Sequence, residues 1–147
     1  MIIRRFLSHS KERAQSLVEF AISLTVIMML LAGAVEFGIA LFQFVQMRDA
    51  AQEGALYGSI HPGEDANIEA RVRSASASPI DLQNDPNLTI NIIYPDGAPN
   101  CEGKGIRVEI SYPHPISMPF IGAAIGSNTI QLRASVTDTI LTPVCPP

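Results

Sequence analysis

Glu19 and Glu36 are charged side chains set into an otherwise uncharged, apolar stretch over residues 17–46. An ionised carboxylate in a bilayer costs about 2.5 to 3.5 kcal/mol at mid-depth and less near an edge, so Glu19 requires either a partner or water. No lysine or arginine follows it before Arg48. Two readings stay open for Glu19. A neighbouring molecule supplies the cation, for which an α-amino group freed by proteolysis just upstream would serve, or the carboxylate sits wet among cytoplasmic headgroups. Glu36 reads as lying near the outer interface or lining a helix contact.

The other candidates do not assemble into catalysis. His61 precedes Pro62 and His114 stands between Pro113 and Pro115, and both read as loop residues without a partner acid or nucleophile. There is no G-x-S-x-G, no Walker lysine and no H-E-x-x-H. Asp81, Asp85 and Asp96 lack the glycine and spacing of a calcium loop and read as a solvated turn. Asn87-Leu88-Thr89 matches a glycosylation acceptor. No enzyme, cofactor or metal site is expected. Cys101 and Cys145 are far apart, and His61 and His114 show no ligand spacing with them. If that part of the chain is exported, a disulfide is the default, contributing about 4 kcal/mol in the chain-entropy model; two free thiols are the competing reading.

The elements that position these residues follow from charge and periodicity. A length of 147 residues fits one domain, and an apolar share of 47% with only 16% charged residues is oilier than an ordinary soluble domain, so part of the chain belongs outside water. Residues 1–14 hold Arg4, Arg5, Lys11 and Arg13 against Glu12, a net +3, which leaves −7 of the total −4 to the remainder. Basic residues before an apolar span stay on the cytoplasmic side, which puts the acidic bulk outside. Nucleic acid is excluded as a partner, because phosphate binding needs clustered cations and the other six are scattered.

Residues 17–35 contain no proline and, at 1.5 Å per residue, make a helix about 28 Å long, close to the hydrocarbon thickness of a bilayer. Apolar residues lie all round it, so its surroundings are lipid or other apolar helices. Over residues 43–58 the pattern turns amphipathic, with Val45, Ala51, Ala55 and Gly58 on one face and Arg48, Asp49 and Glu53 elsewhere. Gly58 and Pro62-Gly63 signal a stop near Ile60. A short helix over residues 64–77 follows, with Ile68, Val72 and Ala75 inward. The period then becomes two: Leu88, Ile90, Ile92 and Tyr94; Ile106, Val108, Ile110 and Tyr112; and Ile130, Leu132, Ala134 and Val136. A Pro- and Gly-rich excursion over residues 113–126 separates the second and third strands. Three one-faced strands make an antiparallel sheet that needs a cover, and the amphipathic half of the long helix supplies it.

Against this background, the block Ala14-Gln15-Ser16-Leu17-Val18-Glu19-Phe20 resembles the processing site of type IV pilin-like proteins, specifically the TadE-like family of tight-adherence (Flp) pilus pseudopilins. There a basic leader ends in a small residue, usually glycine, followed by four residues, a glutamate and an aromatic; Ala14 stands here where glycine is usual. The resemblance continues through Val35-Glu36-Phe37-Gly38, Gly54-Ala55-Leu56-Tyr57-Gly58, Val108-Glu109-Ile110-Ser111-Tyr112-Pro113 and Leu132-Arg133-Ala134-Ser135. It implies cleavage between Ala14 and Gln15 by a prepilin peptidase, and pairing of Glu19, beside Phe20, with the terminal amine of an adjacent subunit as the helix moves from lipid into a helical bundle.

The expected fold is therefore α+β: a long N-terminal transmembrane, pilin-type helix whose distal half packs on an antiparallel sheet of about three strands, with one short extra helix. Residues 1–14 form the cytoplasmic leader, 15–60 the helix with a span of about 17–43, and 61–147 an extracytoplasmic head. The implied function is that of a membrane-anchored pseudopilin or minor pilin of a tight-adherence pilus. It sits in the bacterial inner membrane with its N-terminus cytoplasmic, and its partners are the peptidase, other pilins and the inner-membrane assembly platform. Two alternatives stand beside it. Ala32-Gly33-Ala34 mimics an A-x-A signal-peptide site whose use would release a secreted binding domain. A signal-anchored surface enzyme would need an active site that the sequence does not show.

Overall fold

The computed structural model describes residues 3–146. The side chains of the basic leader, Arg4, Arg5, Lys11 and Arg13, lie outside the described residues. The chain runs in the order α1 (Ile3–Ile60), α2 (Asp65–Ser74), β1 (Thr89–Ile93), β2 (Gly105–Pro115), α3 (Pro119–Ile125) and β3 (Thr129–Thr139). This is the expected α+β arrangement.

Helix α1 is continuous because nothing within it breaks the pattern; its first proline comes two residues after its end, at Pro62. From Ala14 to Val35 its side chains are mostly exposed on every side. From Glu36 onward one stripe turns inward through Gln43, Met47, Ala50, Ala51, Gly54, Ala55, Gly58 and Ser59, the three- and four-residue spacing of a helix packed on one face. Val45, expected on that face, is exposed instead, because the stripe passes through Met47.

The sheet is antiparallel in the order β1-β2-β3. Its register places Ile90 opposite Ile110, Ile92 opposite Val108, Val108 opposite Val136 and His114 opposite Ile130. Since strand side chains alternate faces, this alignment puts every even-numbered apolar residue on the side that α1 covers. Helix α2 completes the cover with Ile68 and Val72, both fully buried. Ala75, expected inward, lies just past the end of α2 and is exposed.

Close approach of these layers depends on Gly54. A Cβ there would stand 2.5 Å from Val72 Cγ2, and valine is stiff about χ1 and cannot swing aside cheaply. Alanine is the better helix former by about 1 kcal/mol, but overpacking costs about 1 to 3 kcal/mol. Gly54→Ala is therefore expected to destabilise the detergent-solubilised protein by about 1 kcal/mol in urea unfolding, against the helix-propensity trend.

Polar contacts tie the loops to α1. The Gln46 carboxamide donates to Ile80 O at 2.8 Å and accepts from Ile80 N at 3.0 Å, standing in for a neighbouring strand. At the end of α1, Leu141 N donates to Ser59 O at 2.8 Å and Thr142 Oγ1 to Ile60 O at 2.9 Å, so the C-terminal tail satisfies carbonyls that the helix leaves open. Beside them the Glu64 carboxyl accepts from Asn67 and Tyr57, and these bonds, the Asn67 amide first, hold its pKa below the usual value of 4.5. Cys101 and Cys145 are joined, with Cα atoms 5.0 Å apart across 44 residues of sequence. Replacing both by serine is expected to lower head stability by about 4 kcal/mol, and reductant should reproduce the loss in thermal unfolding of the native protein.

The excursion over residues 113–126 is more ordered than its composition suggested. Strand β2 continues to Pro115, and α3 forms within the remainder, closed by Gly126 at φ +71°. Pro113 and Pro115 are tolerated in what is elsewhere the central strand because β1 ends at the Thr89–Ser111 pair. Beyond it β2 is an edge, where a missing N–H breaks no ladder.

Candidate functional site

The residues singled out from the sequence fall into separate places. Ala14, Gln15, Glu19 and Phe20 sit on the part of α1 that leaves the head, all exposed. Leu17, Val18 and Ile22 are exposed around Glu19, and among the described residues no basic side chain lies within ion-pair distance of its carboxylate. The helix is long and apolar enough to cross a membrane, which is compatible with a single-pass anchor. With the span placed on residues 17–35, Glu19 lies about 3 Å along the axis from the inner end, within reach of a charge supplied there.

Glu36 lies 17 residues further along α1, about 26 Å from Glu19 along the axis. It is 4% exposed, and His114 is 2% exposed. His114 Nε2 stands 3.1 Å from Glu36 Oε1, and the same oxygen accepts from Ser117 N at 3.0 Å. One carboxylate oxygen on α1 therefore holds both the end of β2 and the start of the turn into α3. A buried carboxylate is tolerable only with such partners, and a protonated Nε2 is the donor that the carboxylate requires. Glu36 Oε2, His114 Nδ1 and Gln43 Oε1 have no hydrogen-bond partner among the described residues.

This corrects the reading of His114 as a loop residue. The parity of Ile106, Val108, Ile110 and Tyr112 runs on through His114 without a break, and following it past the prolines would have placed the imidazole on the buried face. His61 does lie in the turn after α1, its ring stacked on Tyr57 with centroids 4.6 Å apart.

Beside the Glu36 contact, α1, α3 and β3 form an apolar groove lined by Gly33, Phe37, Leu41, Ile121, Ile130 and Leu132. Among the described residues no three His, Cys, Asp or Glu side chains are placed to share a metal ion. What the arrangement can do is mechanical and electrostatic. It presents an apolar rod with a carboxylate near one end, and it fixes the head to that rod through a second, buried carboxylate.

Residues 14–56 match a family model described as TadE-like protein. The match begins at Ala14 and covers the apolar half of α1 together with most of the stripe that packs on the sheet. No curated protein and no solved structure matches the chain.

Proposed function

We propose that this chain, with its TadE-like N-terminal segment, is a membrane-anchored pseudopilin or minor pilin of a tight-adherence pilus. A prepilin peptidase cuts between Ala14 and Gln15 on the cytoplasmic side, removing the basic leader and leaving Glu19 as the fifth residue of the mature chain. The subunit waits in the inner membrane with its head outside, then passes into a bundle of sister helices.

One observation carries this reading: the rod is apolar on every side and bare of its own head from Leu17 to Leu31, while its carboxylate at Glu19 has no cation within the described chain. Lipid and a helical bundle both satisfy the apolar surface, but only the bundle brings a second chain's amino terminus to the carboxylate. The secreted alternative, with cleavage after Ala34, would leave Phe37, Leu41 and Phe42 in water, all at least half exposed.

Mass spectrometry of the mature protein from cells with an active peptidase tests the processing step. Gln15 is expected as the first residue. An intact Met1 terminus would remove the cleavage, and with it the free amine that Glu19 is to meet.

A further inference from the structure

The geometry points to a second contact with the bilayer: the turn between β2 and β3, with α3, lies in the outer headgroup region beside α1 and holds the head down against the membrane. This rests on the reading of α1 as a membrane span.

Charge is the first argument. Residues 110–132 contain no Asp, Glu, Lys or Arg, although the head is otherwise rich in them. Of the two ionisable side chains there, Tyr112 and His114, the histidine is buried on Glu36.

Depth is the second. Residues 17–45 of α1 carry only Glu19 and Glu36 as charges, and apolar side chains stay exposed as far as Phe42 and Val45, before Arg48 and Asp49. At 1.5 Å per residue that length is about 43 Å; with about its first 28 Å, residues 17–35, filling the hydrocarbon, the remainder from Glu36 onward crosses the outer headgroup region. The groove that α3 and β3 form with α1 runs from Gly33 to Phe44, within the outer part of that length. The tip is thus held at headgroup depth, fastened to α1 through Ser117 N and His114.

Orientation is the third. Glu36, the charge at this level, is turned inward, while Ile130, 38% exposed, lines the groove with exposed Phe37, and Ile125 at the end of α3 is 55% exposed. A short, uncharged, proline-started helix with Ile125 outward suits the boundary between headgroups and acyl chains, where apolar area drives binding. The occupant of the exposed apolar surface is therefore lipid.

The chain has no tryptophan, so each introduced indole reports alone. Full-length Ile125→Trp is reconstituted at low protein-to-lipid ratio into phosphatidylcholine vesicles with and without brominated acyl chains. Ala123→Trp serves as a second probe of the tip, Leu30→Trp marks the span and Val144→Trp the far end of the head. Quenching by brominated lipid is expected to be severalfold for Ile125→Trp, approaching that of Leu30→Trp, and slight for Val144→Trp. If both tip probes are quenched no more than Val144→Trp while Leu30→Trp is quenched, the inference falls and the span stands. Blue-shifted but unquenched emission from the tip would assign the surface to a second copy of this chain and overturn the lipid contact. An unquenched Leu30→Trp would bring down the span itself, and this inference with it.

Discussion

Glu19→Ala is expected to leave membrane insertion and leader removal intact while reducing incorporation into pili by about a hundredfold or more. Two effects act in the same direction. In lipid, the substitution removes a carboxylate whose presence costs up to about 3 kcal/mol, so the waiting state becomes more comfortable. In the bundle, it leaves a neighbour's ammonium group without a partner in an apolar setting, and breaking a buried pair from one side costs about 3 to 5 kcal/mol. At about 1.4 kcal/mol per tenfold change, the second effect alone exceeds a hundredfold. Immunoblots of sheared pili against the membrane fraction measure the ratio. Unchanged piliation would take Glu19 out of the mechanism.

Glu36→Ala is expected to lower the unfolding free energy of the head by about 3 kcal/mol. It leaves the buried His114 imidazole and the part-buried Ser117 N–H without their acceptor, and the orphaned imidazole alone carries a desolvation cost of about 1 to 3 kcal/mol. Glu36→Gln should cost less, because its side-chain oxygen still accepts from Ser117 N. His114→Phe removes the same pair from the other side, so the double variant Glu36→Leu with His114→Phe should be more stable than the sum of the two single losses predicts, by about 1 kcal/mol or more. Urea unfolding of the unsubstituted protein, Glu36→Leu, His114→Phe and their double variant in one detergent completes the cycle. Additive losses within about 0.5 kcal/mol would show that the two side chains do not act as a pair.

The two carboxylates of the apolar stretch stand in different settings, although the sequence presents them alike. Glu19 lies on bare helix and has no partner among the described residues, which is the condition for a group that acts between molecules. Glu36 is consumed within the chain. The difference is made by residues 78 and 81 positions away, His114 and Ser117, which no local pattern around Glu36 announces.

Most of the architecture was legible from periodicity. The uncharged run of the long helix, its change to a one-faced pattern after residue 43, and three segments of period two each depend on neighbours within a few residues, so local order suffices to show them. That the helix covers the sheet followed because a one-faced sheet has to be covered. The reading failed where prolines intervened. Pro113 and Pro115 marked the end of a strand that in fact continues, because whether a proline is tolerated depends on whether another strand lies alongside, and β1 stops at Ser111's partner.

Residue order alone was enough to establish the apolar rod, the basic residues before it, an acid near its N-terminal end and an α+β head, since these are matters of composition and short-range repeat. Folding was needed to turn Glu36 inward, to bring His114 and Ser117 onto it, and to lay an uncharged hairpin tip beside the rod where it meets the head. Those contacts join segments far apart in the chain, and their partners are selected by strand register and by the room that Gly54 leaves at the helix surface, neither of which a local window contains.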